Sequence, residues 1–385
     1  MTQTTPGTTP TIGIGMVGHG FMGRAHSQAW RVAPRFFDLP LAPRMAAIAG
    51  RDPETTAAAA QTLGWDSWET DWRRLIERDD IGLIDISSPG DTHAEIAIAA
   101  LEAGKHVLCE KPLANTVAEA ERMAAAAREA ATHGVFAMTG FSYRRVPAVA
   151  LARQFVRDGR LGEIRQVRAG YRQCSLVDPA APMTWRLRAD RAGSGALGDI
   201  GAHIIDMAQF LLGEPLTAVA GTLETFVQER PMPDGTGTGH VTVDDAAWFQ
   251  GRFPSGTVGS FEATRYATGR KNQLTIELSG TAGALAYDLE DFSSLQWCDQ
   301  TVPAERRGFT RILVSEPEHP YHKHWWPAGH WLGYEHTFVN EVADLVADLA
   351  AGRQPSPSFD EGLAVQRVLA AVQASSAAQG VWTRV

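Results

Sequence analysis

The chain has 385 residues, 44% of them hydrophobic, with 44 acidic against 35 basic side chains and a formal net charge of −9. That length points to two domains rather than one small core, and an acidic chain with no Lys/Arg run is excluded as a tracker of nucleic-acid backbone. Cys109, Cys174 and Cys298 are too far apart for a disulfide framework or a thiolate metal site, so a reducing cytoplasm fits, and no apolar run approaches the roughly 20 residues that span a bilayer.

Residues 1–10 are rich in Thr and Pro, without the basic and apolar pattern of a leader, and read as a disordered tail. Ile12, Ile14 and Met16 alternate in a strand that runs into Gly18-His19-Gly20-Phe21-Met22-Gly23. A helix pattern follows to about Val32. In a dinucleotide fingerprint the three glycines have separate tasks. Gly18 permits a tight turn, Gly20 lets backbone approach a pyrophosphate, and Gly23 allows close packing of helix on strand. Phe21 and Met22 open the helix whose N-terminus faces the anion. Met45 to Ala49 reads as a second strand. Its end ordinarily carries an acid for the ribose 2′-hydroxyl, but Gly50 stands there. Arg51 beside it suits a 2′-phosphate, an adenine face or plain solvent, and Asp52 is within reach of the ribose. NAD and NADP both stay open. Asp52-Pro53 starts an alanine-rich helix.

A strand over 83–87 ends in Ser87-Ser88-Pro89, a loop suited to the nicotinamide side, with His93 close by. Asp91 reads as the cap of a helix to Ala103. The strand His106 to Cys109 runs into Glu110-Lys111-Pro112, and the proline restricts Lys111 to extended backbone. Asn115 reads as the cap of a helix to about Ala131, and Val135 to Met138 as one more strand. This alternation predicts an α/β doubly wound parallel sheet over residues 11–141.

The rhythm then changes. After a helix near 147–158, strands are expected at 164–173, 218–227, 246–253, 257–264, 273–279 and 284–288. Pro254-Ser255-Gly256 and Gly280-Thr281-Ala282-Gly283 suit hairpin turns. Consecutive strands with short turns predict a largely antiparallel sheet in a second domain, 142–385. The stretch 231–240 reads as a flexible loop. Helices near 334–350 and 361–378 close the chain.

In Gly195-Ala196-Leu197-Gly198-Asp199-Ile200-Gly201-Ala202-His203 a carboxylate and an imidazole lie four residues apart, on one face of an expected helix. With Lys111 they form a set able to move a proton on and off a hydroxyl. Tyr143, Arg144 and Trp185 are candidate substrate contacts, Trp185 by stacking on a sugar face, although all three also suit a domain interface. His319, His322 and His324 beside Trp325 and Trp326 lack a nearby Cys and are interrupted by proline, so an aromatic loop is expected there rather than a metal site.

Together the glycine fingerprint, Glu110-Lys111-Pro112 and the Asp199-to-His203 helix resemble the Gfo/Idh/MocA oxidoreductases, from about Thr11 to the C-terminus. The stretches 143–148 and 192–199 are most similar to levoglucosan dehydrogenase-like members. The resemblance implies a Rossmann domain followed by an α+β domain whose large open sheet forms a homodimer or homotetramer. It implies NAD or NADP, with NAD slightly favoured. Glu110 and Lys111 would lie at the cofactor, and Lys111, Asp199 and His203 would form a catalytic triad that also contacts substrate. The implied reaction is oxidation of a secondary hydroxyl on a sugar, anhydrosugar or cyclitol. Glycoside cleavage through a transient keto-sugar and a non-catalytic dinucleotide-binding regulator are the alternatives, and the intact triad argues against the second. Gln173-Cys174-Ser175 stands where such relatives carry an Asp-Trp pair after the glutamine, which leaves the particular substrate open. An unperturbed histidine titrates near 6.5 and a lysine near 10.4. His203, oriented by Asp199, is therefore expected to be the base, and charged Lys111 to stabilise the oxygen; the roles swap if burial and the bound cofactor's positive charge depress Lys111 enough.

Overall fold

The computed structural model describes residues 9–385; most of the expected disordered tail lies outside them. The first half alternates β1 (Thr11–Val17), α1 (Phe21–Phe36), β2 (Ala42–Ala49), α2 (Pro53–Leu63), β3 (Trp68–Glu69), α3 (Trp72–Ile76), β4 (Leu83–Ile86), α4 (His93–Glu102), β5 (His106–Glu110), α5 (Val117–Ala131) and β6 (Ala137–Gly140). The six strands form one parallel sheet in the order β3-β2-β1-β4-β5-β6. Helices cover both faces, so β1 is buried continuously from Ile12 onward rather than on alternate residues. The order reverses between β1 and β4, and the crevice at such a switch point is where α/β sheets bind ligands.

Two expected caps are corrected. Helix α4 starts at His93 without a side-chain cap, and Asp91 instead pairs with Arg191 at 2.7 Å. Helix α5 is capped by Thr116, which forms a reciprocal capping box with Glu119. Asn115 donates to the Arg191 carbonyl at 2.9 Å. Both side chains hold the segment around Arg191 against the first sheet, a long-range use that sequence spacing does not reveal.

The second half begins with α6 (Pro147–Arg157), β7 (Ile164–Arg172), the single turn α7 (Ala189–Ala192) and α8 (Ala202–Leu212). Strands follow: β8 (Ala218–Glu224), β9 (Glu229–Pro231), β10 (Thr238–His240), β11 (Ala246–Arg252), β12 (Val258–Thr264), β13 (Gln273–Gly280), β14 (Gly283–Asp288), β15 (Ser294–Asp299) and β16 (Thr310–Leu313). The chain closes with α9 (Tyr334–Ala350), α10 (Phe359–Ala377) and β17 (Thr383–Arg384). Nine of these strands form a sheet in the order β16-β15-β14-β13-β7-β12-β11-β8-β17. Only β7 and β12 pair in parallel, and the two expected hairpin turns join β11 to β12 and β13 to β14 antiparallel. The stretch read as a flexible loop is part of a two-stranded ribbon, β9 with β10.

One face of this sheet packs under α6, α8 and α10, with Val167, Phe261 and Ile276 facing Ile204, Leu211 and Val372. The last two helices join the halves. The first turn of α10 places Phe359 and Leu363 among Leu113, Ala120 and Ala124 of the first half, while its later turns lie on the nine-stranded sheet. Helix α9 returns to the parallel sheet: Phe338, Val342 and Val346 pack with Met16, Trp30, Leu108 and Met138. Each such side chain stabilises the union by about 1.5–3 kcal/mol. A division at residue 141 assigns α9 to the second domain, yet its packing partners belong to the first.

Candidate active site

A cleft of about 1500 Å³ runs from the glycine turn, past the ends of β4 and β5, to the start of α8. At its first end, Gly18 has φ +100°, a backbone angle that L side chains rarely adopt. A Cβ on Gly23 would collide with the Gly18 carbonyl, whereas one on Gly20 would meet nothing within 4 Å. Helix and strand are therefore pressed together at Gly23, and open space is left at Gly20. Met22 lines this end and Phe21 stacks on Tyr334. Ser88 and Pro89 lie further along. This cradle fits the pyrophosphate and nicotinamide halves of a dinucleotide, held by Gly18, Gly20 and the N-terminus of α1.

The adenosine end differs from the expectation at one point. A Cβ on Gly50 would meet the His19 imidazole at 2.5 Å and also the Thr56 hydroxyl, so the place of the usual acid is filled by those two side chains. Arg51 lines the cleft and is exposed. Asp52 caps α2, its Oδ1 accepting from Thr55 N at 2.8 Å and from the Thr55 hydroxyl at 2.7 Å, and these bonds hold its carboxyl below the usual range.

Lys111, Asp199 and His203 all line this cleft. Lys111 sits at the end of β5, and its Nζ donates to the Asp199 carbonyl at 2.7 Å and lies 3.5 Å from Oδ1. The segment Leu197–Gly201 is a π turn rather than the expected α-helix, a form that recurs at functional sites. Its entry is fixed by Asp244, whose two oxygens accept from Gly195 N and Leu197 N, each at 2.7 Å. The Asp199 carboxylate lies 3.8 Å from Arg265 as well as beside Lys111. Burial alone would raise its pKa, but Lys111, Arg265 and Arg186 outweigh that and lower it.

Asp199 does not orient His203. The imidazole Nδ1 is sealed from solvent and has no hydrogen-bond partner. The ring is boxed by Tyr143, Tyr171 and Phe141, with centroids at 4.7, 5.8 and 6.1 Å. Burial, followed by the Lys111 charge, pushes its pKa well below 6.5. The expectation of a base with an unperturbed pKa near 6.5 is thereby corrected: the ring is held neutral through the neutral pH range.

The remaining candidates divide. Tyr143 and Trp185 line the cleft, with the Arg186 guanidinium 4.5 Å over the Trp185 ring. Arg144 does not. It is buried, its Nε donating to Asp206 at 2.9 Å and its Nη1 to Glu361 at 2.7 Å, and this ion triad ties the turn after β6 to α8 and α10. His93 borders the cleft but is buried, its ring nitrogens 2.9 Å from the Ser88 carbonyl and 3.1 Å from that of Pro112. It ties the Ser88 loop to the Lys111-Pro112 turn and has no nitrogen free for a ligand. Glu110 accepts from Lys111 N at 3.0 Å and from His26. His322 is buried, His324 stacks on Phe37 and the Trp325 ring lies tilted against Phe36, so that loop packs on the end of α1. Among the described residues no group of three acidic, His or Cys side chains is placed to hold a metal.

Sequence reading missed a polar wall opposite His203. The Tyr143 and Tyr171 hydroxyls are 2.9 Å apart, Tyr171 donates to Asn272 Oδ1 at 2.8 Å, and Gln173 donates to the same oxygen at 2.7 Å. Tyr143 comes from the turn after β6, Tyr171 and Gln173 from β7 and its end, and Asn272 from the approach to β13. They share no motif, and of the four the sequence marks only Tyr143 as a substrate contact.

The described residues contain no helix long and apolar enough to cross a membrane. A model described as an oxidoreductase family with an NAD-binding Rossmann fold matches residues 12–138, and the GFO/IDH/MocA C-terminal domain model matches 149–286. A levoglucosan dehydrogenase from Pseudarthrobacter phenanthrenivorans is 42% identical over 97% of this chain and 98% of its own. The crystal structure of an oxidoreductase domain protein from Kribbella flavida shares 60% identity at a TM-score of 0.96, covering 98% of this chain and 99% of that one. A levoglucosan dehydrogenase in complex with NADH and levoglucosan gives 42% identity and a TM-score of 0.93, covering 97% and 99%. With both halves matched and relatives aligned end to end, the chain belongs to the Gfo/Idh/MocA family of oxidoreductases, as an NAD(P)-dependent dehydrogenase of the sugar-oxidising kind.

Proposed function

We propose that the protein oxidises a secondary hydroxyl of a pyranose-like anhydrosugar or a close sugar or cyclitol analogue, with Lys111, Asp199 and His203 as its working residues. The observation that carries this reading is the single cleft in which Lys111 and a neutral histidine face the open end of a dinucleotide cradle. When bound there, the nicotinamide ring accepts a hydride from the carbinol carbon. With Nδ1 sealed, His203 Nε2 is the nitrogen left to take the hydroxyl proton. Lys111, anchored by the Asp199 carbonyl, donates a hydrogen bond to the same oxygen as its charge develops. Asp199 holds the ammonium in place, and Trp185 with the Tyr171–Asn272–Gln173 wall reads the remaining hydroxyls. Levoglucosan is the first substrate to try, given the named relative. A screen of anhydrosugars, pyranoses and cyclitols, followed by absorbance of the reduced nicotinamide, tests the reading, and no turnover with any of them would sink it.

The reading extends to cofactor choice. Gly50 removes the carboxylate that would repel a 2′-phosphate, and Arg51 offers a charge-assisted fork to one. We place the protein as a dual user with a modest NAD preference, within about tenfold, or roughly 1.4 kcal/mol. Arg51→Ala then weakens NADP more than NAD. Titration by tryptophan fluorescence is direct, since Trp72 and Trp185 line the cleft; equal losses would show Arg51 on the adenine face instead.

The free cysteines, two of them buried, suit a reducing cytoplasm. The uncovered face of the nine-stranded sheet carries Trp248 and Trp382, 37% and 43% exposed, and serves in this reading as the contact of a homodimer or homotetramer. Sedimentation at micromolar concentration should give two or four copies; a monomer counts against it.

A further inference from the structure

Beneath the cleft lies a buried group of charges that the reaction scheme does not use. His26, one turn into α1 from the glycine fingerprint, is 1% exposed. Its Nδ1 lies 2.9 and 3.0 Å from the two oxygens of Asp85 on β4, and its Nε2 lies 2.9 Å from Glu110 Oε1 at the end of β5. Ionised carboxylates only accept hydrogen bonds, so both nitrogens must donate, and the ring is an imidazolium. Asp85 is completed by Trp30 Nε1 at 2.7 Å, and the second oxygen of Glu110 takes the backbone N–H of Lys111 at 3.0 Å. Helix α9 closes the group with Phe338, 5.4 Å from the His26 ring, and with buried Glu341, whose two oxygens have no partner. Burial raises the Glu341 carboxyl to about 8, against the pull of Arg145 and His26, so it is uncharged at neutral pH. Burial alone would lower the pKa of His26; Asp85 and Glu110 override it and raise it.

We infer that His26 is a positioning residue, an imidazolium that pins the Glu110 carboxylate and thereby the backbone of Lys111, so that the helix opening the dinucleotide cradle and the lysine of the reaction are locked in one frame. The inference rests on the proposed role of Lys111. Two features separate it from ordinary core packing. The chain of bonds from α1 ends on the main chain of the lysine itself. A buried ion pair is also a costly way to fill a core that apolar side chains would fill at equal or greater stability.

The test uses the full chain and the alcohol returned by the substrate screen. In His26→Gln the amide donates to one carboxylate at most and carries no charge. Its kcat should fall about tenfold to a hundredfold, the scale of a small misplacement of a reacting group, while the Kd for NADH, read by tryptophan fluorescence, stays within about threefold. Glu110→Ala should lose at least as much, and the double variant no more than Glu110→Ala alone, because both act through one bond. Undiminished kcat in His26→Gln, an equal loss of NADH affinity, or losses that multiply in the double variant would overturn the inference. If His26→Gln does not fold, Glu110→Ala decides by itself: kcat within about twofold of wild type refutes the linkage, and a larger fall with intact NADH binding supports it. Lys111→Ala keeps the two questions apart. An active Lys111→Ala defeats the catalytic reading, whereas an inactive one beside a normal His26→Gln defeats only the inference about His26.

Discussion

Replacing Lys111 by alanine should lower kcat by about a hundredfold to ten-thousandfold, the range for a positioned proton-transfer or oxyanion group, and leave NADH binding within about threefold. The ammonium is held by the Asp199 carbonyl and carboxylate, away from the glycine cradle, so its removal does not touch the bed of the pyrophosphate. It does remove the only lysine lining the cleft among the described residues. Asp199 and Arg265 would then pair more closely, and added ammonium or alkylamines should restore part of the rate. Steady-state kinetics with parallel fluorescence titrations measure both quantities. Turnover near that of the wild type would take Lys111 out of the mechanism.

The second large effect concerns His203. A base whose pKa is depressed is already unprotonated at neutral pH. The rate of alcohol oxidation should therefore rise with pH through a midpoint below 6.5 and be level above it. His203→Asn should cost about a hundredfold or more in kcat and remove that rising limb. The asparagine keeps a polar group of similar size among Tyr143, Tyr171 and Phe141, so folding is not the expected casualty. A pH profile of kcat/KM for the variant that keeps the limb at an unchanged midpoint would move the base to Lys111 or to a bound water.

What the sequence made legible was local. Strand-helix alternation with glycines at fixed offsets leads to the parallel sheet, because both signals lie within about thirty residues of one another. Glu110-Lys111-Pro112 was legible for the same reason, as a short strand followed by a restricted backbone. Partners far apart in the chain were not. Arg144 looks like a ligand-facing arginine until Asp206 and Glu361, from two other helices, neutralise it in the interior. The four-residue spacing of Asp199 and His203 suggested a mutual contact, but the carboxylate is drawn instead to Lys111 and Arg265, which lie 88 and 66 positions away. The polar wall of Tyr171, Gln173 and Asn272 carries no spacing of its own. Short edge strands such as β16 and β17 have too few residues to show a period of two.

The return of α9 to the first sheet has a consequence for synthesis. When β6 leaves the ribosome, the surface formed by Met16, Leu108 and Met138 has α1 beside it but still lacks Phe338, Val342 and Val346 of α9. The helix that completes the cover begins roughly 200 residues later, which at about 5–20 residues per second is a wait on the order of ten to forty seconds. Through that interval the nascent dinucleotide module carries a greasy, half-finished surface. It becomes a closed body only once the second half of the chain has been made, so the two halves are expected to mature together, from the last helices inward.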